Sequence, residues 1–322
     1  MASNGTERAF LAAEFEHEPV PRSHRQSARS VAAVWFGFPM IITNAVFGGI
    51  IAYHLGFWRG LLAITIGNAI LLLYVGILSY IAGSTGRNFA LQAERTFGTY
   101  GYAIASGFLA TIVIGWYAFQ TGLTGTTIHA SFSWNETLII ITAAIFYTGI
   151  TFIGIKALSI LGMIAAPLYI ILEVVALALV AAGGDGLGAI FSYQGLNSAH
   201  PLTFGGAITI VVATFADSGT MTADFTRWAR DGRSAVYAAF TAFPVANVVA
   251  ALFGVIIVAA GAAASPSQNG GDFLPVLTSH GTVLAGVALI FVYLNLVCCP
   301  INNVTFAVGQ LAVFQGANDE HI

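Results

Sequence analysis

From residue 31 to residue 314 the chain is a succession of long apolar runs, and short connectors carry most of its charge. Crossing a bilayer in helical form takes about 20 apolar residues. Inside hydrocarbon, only a helix or a closed barrel satisfies every backbone N–H and C=O. Runs of this length therefore read as helices, and the expected fold class is an all-α integral membrane protein. The composition agrees: 57% of the residues are hydrophobic and 8% charged, against roughly 25% charged in soluble domains. A net charge of −3 leaves no basic surface for nucleic acid.

Eight spans are expected, at about 31–53, 58–82, 100–130, 136–155, 156–182, 204–228, 235–262 and 281–314. Residues 1–30 read as a mobile cytoplasmic tail, 31–314 as the transmembrane domain and 315–322 as a polar tail. The stretch 263–279 reads as a polar loop. With this count, ten of the eleven Lys and Arg residues fall on one side of the membrane and one on the other. The side rich in Lys and Arg faces the cytoplasm, so both termini are expected there, with the protein in the cell membrane.

Two spans look interrupted. The first contains Gly37-Phe38-Pro39, then Thr43-Asn44 and Gly48-Gly49. Proline removes a helical hydrogen bond and disfavours helical geometry at the residue before it. The sixth lies in TFGGAITIVVATFADSGTMTADFTRWARDGR, residues 203–233, where Asp217 falls at mid-membrane beside Ser218 and Gly219. Carboxylates at that depth face a cavity or a partner rather than lipid. A break near Asp217 is therefore expected, forming half of a binding site. Breaks in spans one and six fit a five-helix unit repeated with inverted topology. A second unit would need spans six to ten. The expectation is that the chain is a fragment or that another chain supplies the missing helices.

A flat, hydrogen-bonding ligand needs aromatic faces and a few fixed polar groups. Trp116 and Gln120, four residues apart, share one face of the third span, and Phe215 and Asp217 supply a second set. Asp217 can accept from a ring N–H, carry a coupled proton, or be satisfied by backbone amides at a break. Glu173, deep in the fifth span, suits either proton coupling or a structural hydrogen bond. Asp224 near Arg227 and Arg230 reads as an ion pair at a helix end. Cys298 and Cys299 read as small buried residues. No phosphate loop, metal cluster or catalytic triad stands out, so neither an enzyme nor a bound cofactor is expected.

The segment SGTMTADFTRWAR resembles the sixth helix of the nucleobase–cation symporter family. PVPRSHRQSAR before the first span, GWYAFQ in the third and Asn295 in the eighth agree with it. The resemblance implies a leucine-transporter-like fold with inverted five-helix repeats and two further helices, here without the last four. It implies uptake of a nucleobase or related heterocycle (cytosine, uracil, a purine, hydantoin or allantoin) coupled to protons or sodium. The alternative is a non-transporting protein of the same fold that binds only ligand or a partner subunit. By resemblance, Trp116 stacks on the substrate ring and Gln120 bonds its edge, as in hydantoin-type members. Cytosine-permease-like members carry that glutamine one turn earlier, where this chain has Val113. Phe215 closes the other face of the ring, and Asp217, Gly219 and Asn295 complete the substrate set. Backbone carbonyls near Gly37, Phe38 and Ile41 would hold the coupled cation together with Asn295, Cys298 and Cys299. Sulfur is a soft ligand and sodium a hard ion, so protons are the expected driver, with Asp217 and Glu173 as carriers.

Overall fold

The computed structural model describes residues 15, 18–151, 155–183, 187–196, 202–263 and 265–294. Within them the chain is helical, and the only strand-like feature is one bridge between Gln26 and Ala229. Helix α1 (Ala28–Gly37) starts at Ser27, whose hydroxyl accepts the N–H of Ser30. It stops at Phe38-Pro39, and α2 (Ile42–Leu55) resumes at an angle of 62°. The turn between them is closed locally. Met40 donates its N–H to the Gly37 carbonyl, and the Asn44 amide donates to that of Pro39. The expected break in the first span is present.

Helix α3 (Phe57–Thr85) ends at Gly86, whose φ of 77° gives the left-handed cap that favours glycine. Asn88 opens α4 (Phe89–Phe132) by accepting the N–H of Leu91 at 2.9 Å. At Gly98 the backbone leaves helical geometry, with φ 70° and ψ 177°. Residues 89–97 are therefore a separate helical piece leading into the third span, in a stretch read as a plain connector. Helices α5 (Glu136–Thr151), α6 (Ile155–Gly183) and the short α7 (Leu187–Ser192) follow.

Helix α8 (Phe204–Thr220) runs straight through Asp217. Its interruption comes at Met221, before the short α9 (Thr222–Thr226). The break expected near Asp217 thus lies one turn later. The backbone stays bonded there, since Met221 N–H reaches the Asp217 carbonyl at 3.1 Å. Tyr74 of α3 braces the same turn, donating to the Ala216 carbonyl at 2.7 Å and meeting the Thr220 hydroxyl.

Asp231 caps α10 (Gly232–Phe240) by accepting the N–H of Ser234 at 2.8 Å. A π-helical stretch, Thr241–Asn247, contains Pro244 and passes into α11 (Val248–Ala259). Proline supplies no N–H to the ladder, and a wider turn accommodates it. Helices α12 (Leu274–Thr278) and α13 (Thr282–Leu294) complete the described chain.

Each of the eight expected stretches holds a helix. By length and composition α3, α4, the Ile164–Ala182 part of α6 and the α10–α11 run can cross a membrane, as can the bent α1–α2 pair. The other three, α5, α8 and α13, are shorter apolar helices. Two apolar cores lie side by side, and the α10–α11 run contributes to both. One gathers α1, α3, α8 and α10 around Trp35, Phe215 and Phe243. The other gathers α2, α4, α5, α6, α12 and α13 around Tyr147, Tyr169, Phe273 and Phe291. Leu73 and Ile77 on α3 and Ile104 and Phe108 on α4 point outward, as a lipid-facing surface requires.

Two stretches read as loose are folded in. The start of the chain is strapped to the bundle: Val20 N–H bonds the Gly86 carbonyl, Arg25 Nη1 bonds the Gly83 carbonyl at 2.7 Å, and Gln26 N–H bonds that of Trp228. Arg227 in turn donates to the Phe15 carbonyl at 2.8 Å. Carbonyls in the last turn of a helix such as α3 lack helical partners, and a guanidinium there satisfies them. The stretch 263–279 carries a buried surface. Phe273, Leu274, Val276 and Leu277 are buried, and Asp272 is 2% exposed.

Candidate functional site

Three of the predicted site residues reach the break between α1 and α2: Gln120 and Phe215 directly and Trp116 through Phe119. From α4, Gln120 reaches the first turn of α2. Thr43 Oγ1 donates to its Oε1 at 2.6 Å. The amide is 1% exposed, and its Nε2 has no hydrogen-bond partner among the described residues. From α8, Phe215 packs edge-on against Phe38, 6.2 Å between ring centroids, and against Phe243 at 5.5 Å. Phe38 in turn joins Trp35 and Phe225 in one aromatic cluster.

Trp116 is half-buried, one turn before Gln120. Its ring meets Phe119 edge-on at 5.3 Å, and Phe119 stacks on Phe47 of α2 at 5.9 Å and 9°. Trp116 and Phe215 thus approach α1–α2 from two directions, each through its own aromatic neighbours. A cavity of about 20 Å³, one water in size, lies beside Phe215 and is lined in part by Asn44, Phe47, Asn68, Thr214 and Asn247. The amides of Asn247 and Asn68 are bonded to each other at 2.8 Å.

Asp217 is 6% exposed. Its Oδ1 accepts weakly from Ser218 Oγ at 3.3 Å, and its Oδ2 is buried without a partner among the described residues. Gly219 faces α3. A Cβ there would come within 2.7 Å of Val75 and 2.8 Å of Tyr74, so only its backbone is free to serve a ligand. Asp224 accepts the N–H of Phe89 at 3.4 Å at the head of α4.

Of the cation set, Phe38 and Ile41 are buried at the break and Gly37 is half-buried. The Gly37 and Ile41 carbonyls each accept a backbone N–H within the turn, leaving a second lone pair on each oxygen. Asn295, Cys298 and Cys299 lie outside the described residues. Glu173 belongs to a different place, beside Tyr169 and Asp272 in the second core. Sequence reasoning missed Phe47, Tyr74, the Asn68–Asn247 pair and Asp272. Polar side chains within apolar runs were the available signal for the two asparagines. For Asp272, set among Ser, Gln, Asn and Gly, there was none.

The sequence profile of the family described as "Permease for cytosine/purines, uracil, thiamine, allantoin" matches residues 19–314. The chain belongs to this permease family. Cytosine permeases of Escherichia coli K12 and O157:H7 are each 30% identical over 283 residues, covering 86% of this chain and 64% of their own length. The chain thus spans just under two thirds of these relatives. Mhp1, a nucleobase-cation-symport-1 family transporter solved in a closed conformation with bromovinylhydantoin bound, superposes with a TM-score of 0.70 at 21% identity. That match covers 92% of this chain and 72% of Mhp1. An inward-facing Mhp1 structure gives 0.72 at 19% identity. The fold is accordingly of the leucine-transporter type. Family and apolar helices together make this permease-family chain a multi-pass membrane protein.

Proposed function

We propose that the chain is a secondary active transporter that takes up a nucleobase or a related heterocycle by symport with a cation. The observation that carries this reading is that two buried polar atoms, Gln120 Nε2 as donor and Asp217 Oδ2 as acceptor, have no partner among the described residues. A buried polar group without a partner costs free energy, and a ring with N–H and C=O edges supplies both partners at once. Trp116 and Phe215 offer the aromatic surfaces, while the Gly219 backbone and Asn295 complete the substrate set. The relatives named cytosine permease and the hydantoin bound in Mhp1 support a flat heterocycle as cargo.

The coupled cation is a proton in this reading. Asp217 and Glu173 are the carriers, because Cys298 and Cys299 offer sulfur where sodium would need oxygen. If sodium is used instead, the carbonyls of Gly37, Phe38 and Ile41 hold it with Asn295. The protein sits in the cell membrane with residues 1–30 on the cytoplasmic side and 31–314 as the transporter domain. The test is uptake of labelled cytosine, uracil, hypoxanthine, hydantoin and allantoin into proteoliposomes, with a pH gradient or a sodium gradient imposed separately. With the remaining helices of the second repeat supplied alongside the chain, accumulation of at least one of them that follows the pH gradient is expected. Saturable binding with no accumulation under either gradient would mean a ligand-binding protein rather than a transporter.

A further inference from the structure

Asp272 lies in the connector between α11 and α13, yet it is almost fully enclosed. Its Oδ1 accepts the N–H of Leu274 at 2.9 Å and so caps α12. Its Oδ2 has no partner at full hydrogen-bond geometry among the described residues, and the hydroxyl of Thr127, 0% exposed, is the side-chain donor that faces it. Glu173 of α6 is also 0% exposed, and neither carboxyl oxygen has a partner at full hydrogen-bond geometry among the described residues; the Tyr169 hydroxyl is the donor beside it, and the Asp272 carboxyl lies within electrostatic reach.

The other groups facing the pair do not neutralise it. Tyr169, one turn before Glu173, directs its hydroxyl to the Ala250 carbonyl of α11 at 3.5 Å. The histidines of the neighbouring elements lie at the surface instead: His129 of α4 is exposed and meets the Trp134 carbonyl, and His280, past α12, is exposed and meets the Val276 carbonyl. α13 contributes Phe291, and α2 contributes Ala45 and Val46. Among the described residues, no arginine or lysine is among the groups acting on either carboxyl. Carboxylates shut away from water and cations are costly to keep charged, and taking up a proton is the available remedy.

We propose that Glu173 and Asp272 form a proton-binding site that latches residues 265–279 onto the helices, and that loss of its proton to water releases this connector. The seat is tight. A Cβ on Gly270 would lie 1.9 Å from the Val46 carbonyl oxygen of α2, and one on Gly271 would lie 2.1 Å from Gly254 Cα of α11. Phe273 rests against Tyr169 and Phe291, each at 5.9 Å. Backbone this closely packed cannot slide. The connector leaves by lifting, which brings Asp272 into water, where it ionises. Burial holds the Asp272 carboxyl well above the usual carboxylate range, at about 6. The proton is therefore kept below that pH and given up above it, so acid favours the seated connector.

The latch shares Glu173 with the coupling reading above and rests on that reading only for what release does to transport. Its test reads amide exchange instead of uptake, so either idea can fail without the other. The chain is placed in lipid nanodiscs, and exchange of peptides from 265–279 is followed at about pH 5 and about pH 8, corrected for intrinsic rates. Protection of these peptides is expected to fall about tenfold at the higher pH, while peptides from α3 stay unchanged. Asp272→Asn, which cannot ionise, should keep its protection at both. Equal protection of the wild-type chain at both pH values would overturn the proposal, and that comparison needs no variant to fold. So would a fall that survives in the Glu173→Gln/Asp272→Asn double variant. A response to sodium at constant pH, with none to pH, would assign the pair to a metal cation and overturn it equally.

Discussion

Gln120 shows why a residue that looks structural by itself can still be a candidate for a site. Its oxygen is held by Thr43 at 2.6 Å, which fixes the side chain, while its amide nitrogen is buried with nothing to bond among the described residues. Trp116 on the same helix face and Phe215 across the first-span break are its natural companions. Trp116→Ala and Phe215→Ala are each expected to weaken heterocycle binding by about 1–3 kcal/mol, by analogy with base stacking on aromatic side chains. Membrane insertion should be unchanged. Equilibrium binding of labelled ligand to the purified variants measures this, and affinities within twofold of wild type for both would remove the proposed stacking site. At this scale the sequence was informative where chemistry is local. Gln120 and Asp217 were legible because a polar side chain in an apolar run must find a partner. Gly219 was harder to place, because its environment is the Tyr74 and Val75 side chains of a helix far away in sequence.

Helices were the most legible elements, since bilayer thickness sets their length. Pro39 marked the first break because proline acts on its own backbone and on the residue before it. The sixth-span break was placed a turn early because nothing local reveals that Tyr74 braces Ala216 and Thr220. The connector at 263–279 read as a loop because its polar residues are numerous, whereas its burial depends on contacts with α2, α4, α6 and α11. The closest of these helix contacts involve glycine. A Cβ on Gly254 would fall 1.8 Å from the Ala45 carbonyl oxygen, and one on Gly48 would fall 2.0 Å from that of Ala251. Small residues let membrane helices approach to this distance. Gly254→Val should therefore push α2 and α11 apart and destabilise the protein by roughly 1–3 kcal/mol or more, as overpacking does. The thermal unfolding midpoint in detergent reads the effect, and an unshifted midpoint would mean that the two helices are not in contact as described.

For the molecule as a whole, Asp272 links stability to pH. Its carboxyl is raised by burial from the ordinary aspartate value to about 6, so the folded state binds a proton more tightly than the unfolded chain. The stabilisation this brings is complete below about pH 4 and is lost as pH rises through about 6. Between about pH 4 and pH 7 it amounts to a decline on the order of 2–3 kcal/mol. A series of unfolding midpoints across that range should slope downward for the wild-type chain and flatten in Asp272→Asn. A wild-type midpoint that climbs over the same range would mean that other groups outweigh Asp272.

The strap at the start of the chain also constrains assembly in time. Arg227 holds the Phe15 carbonyl across a separation of 212 residues, and Gln26 bonds the Trp228 carbonyl beside it. A ribosome adds about 5–20 residues per second. Residues 15–26 therefore wait on the order of 10–40 s after their own synthesis before their docking partners exist. During that interval the early helices enter the membrane with their leading segment unsecured. Closing the strap cannot precede synthesis of α8 and α9, although its own residues are made well before them.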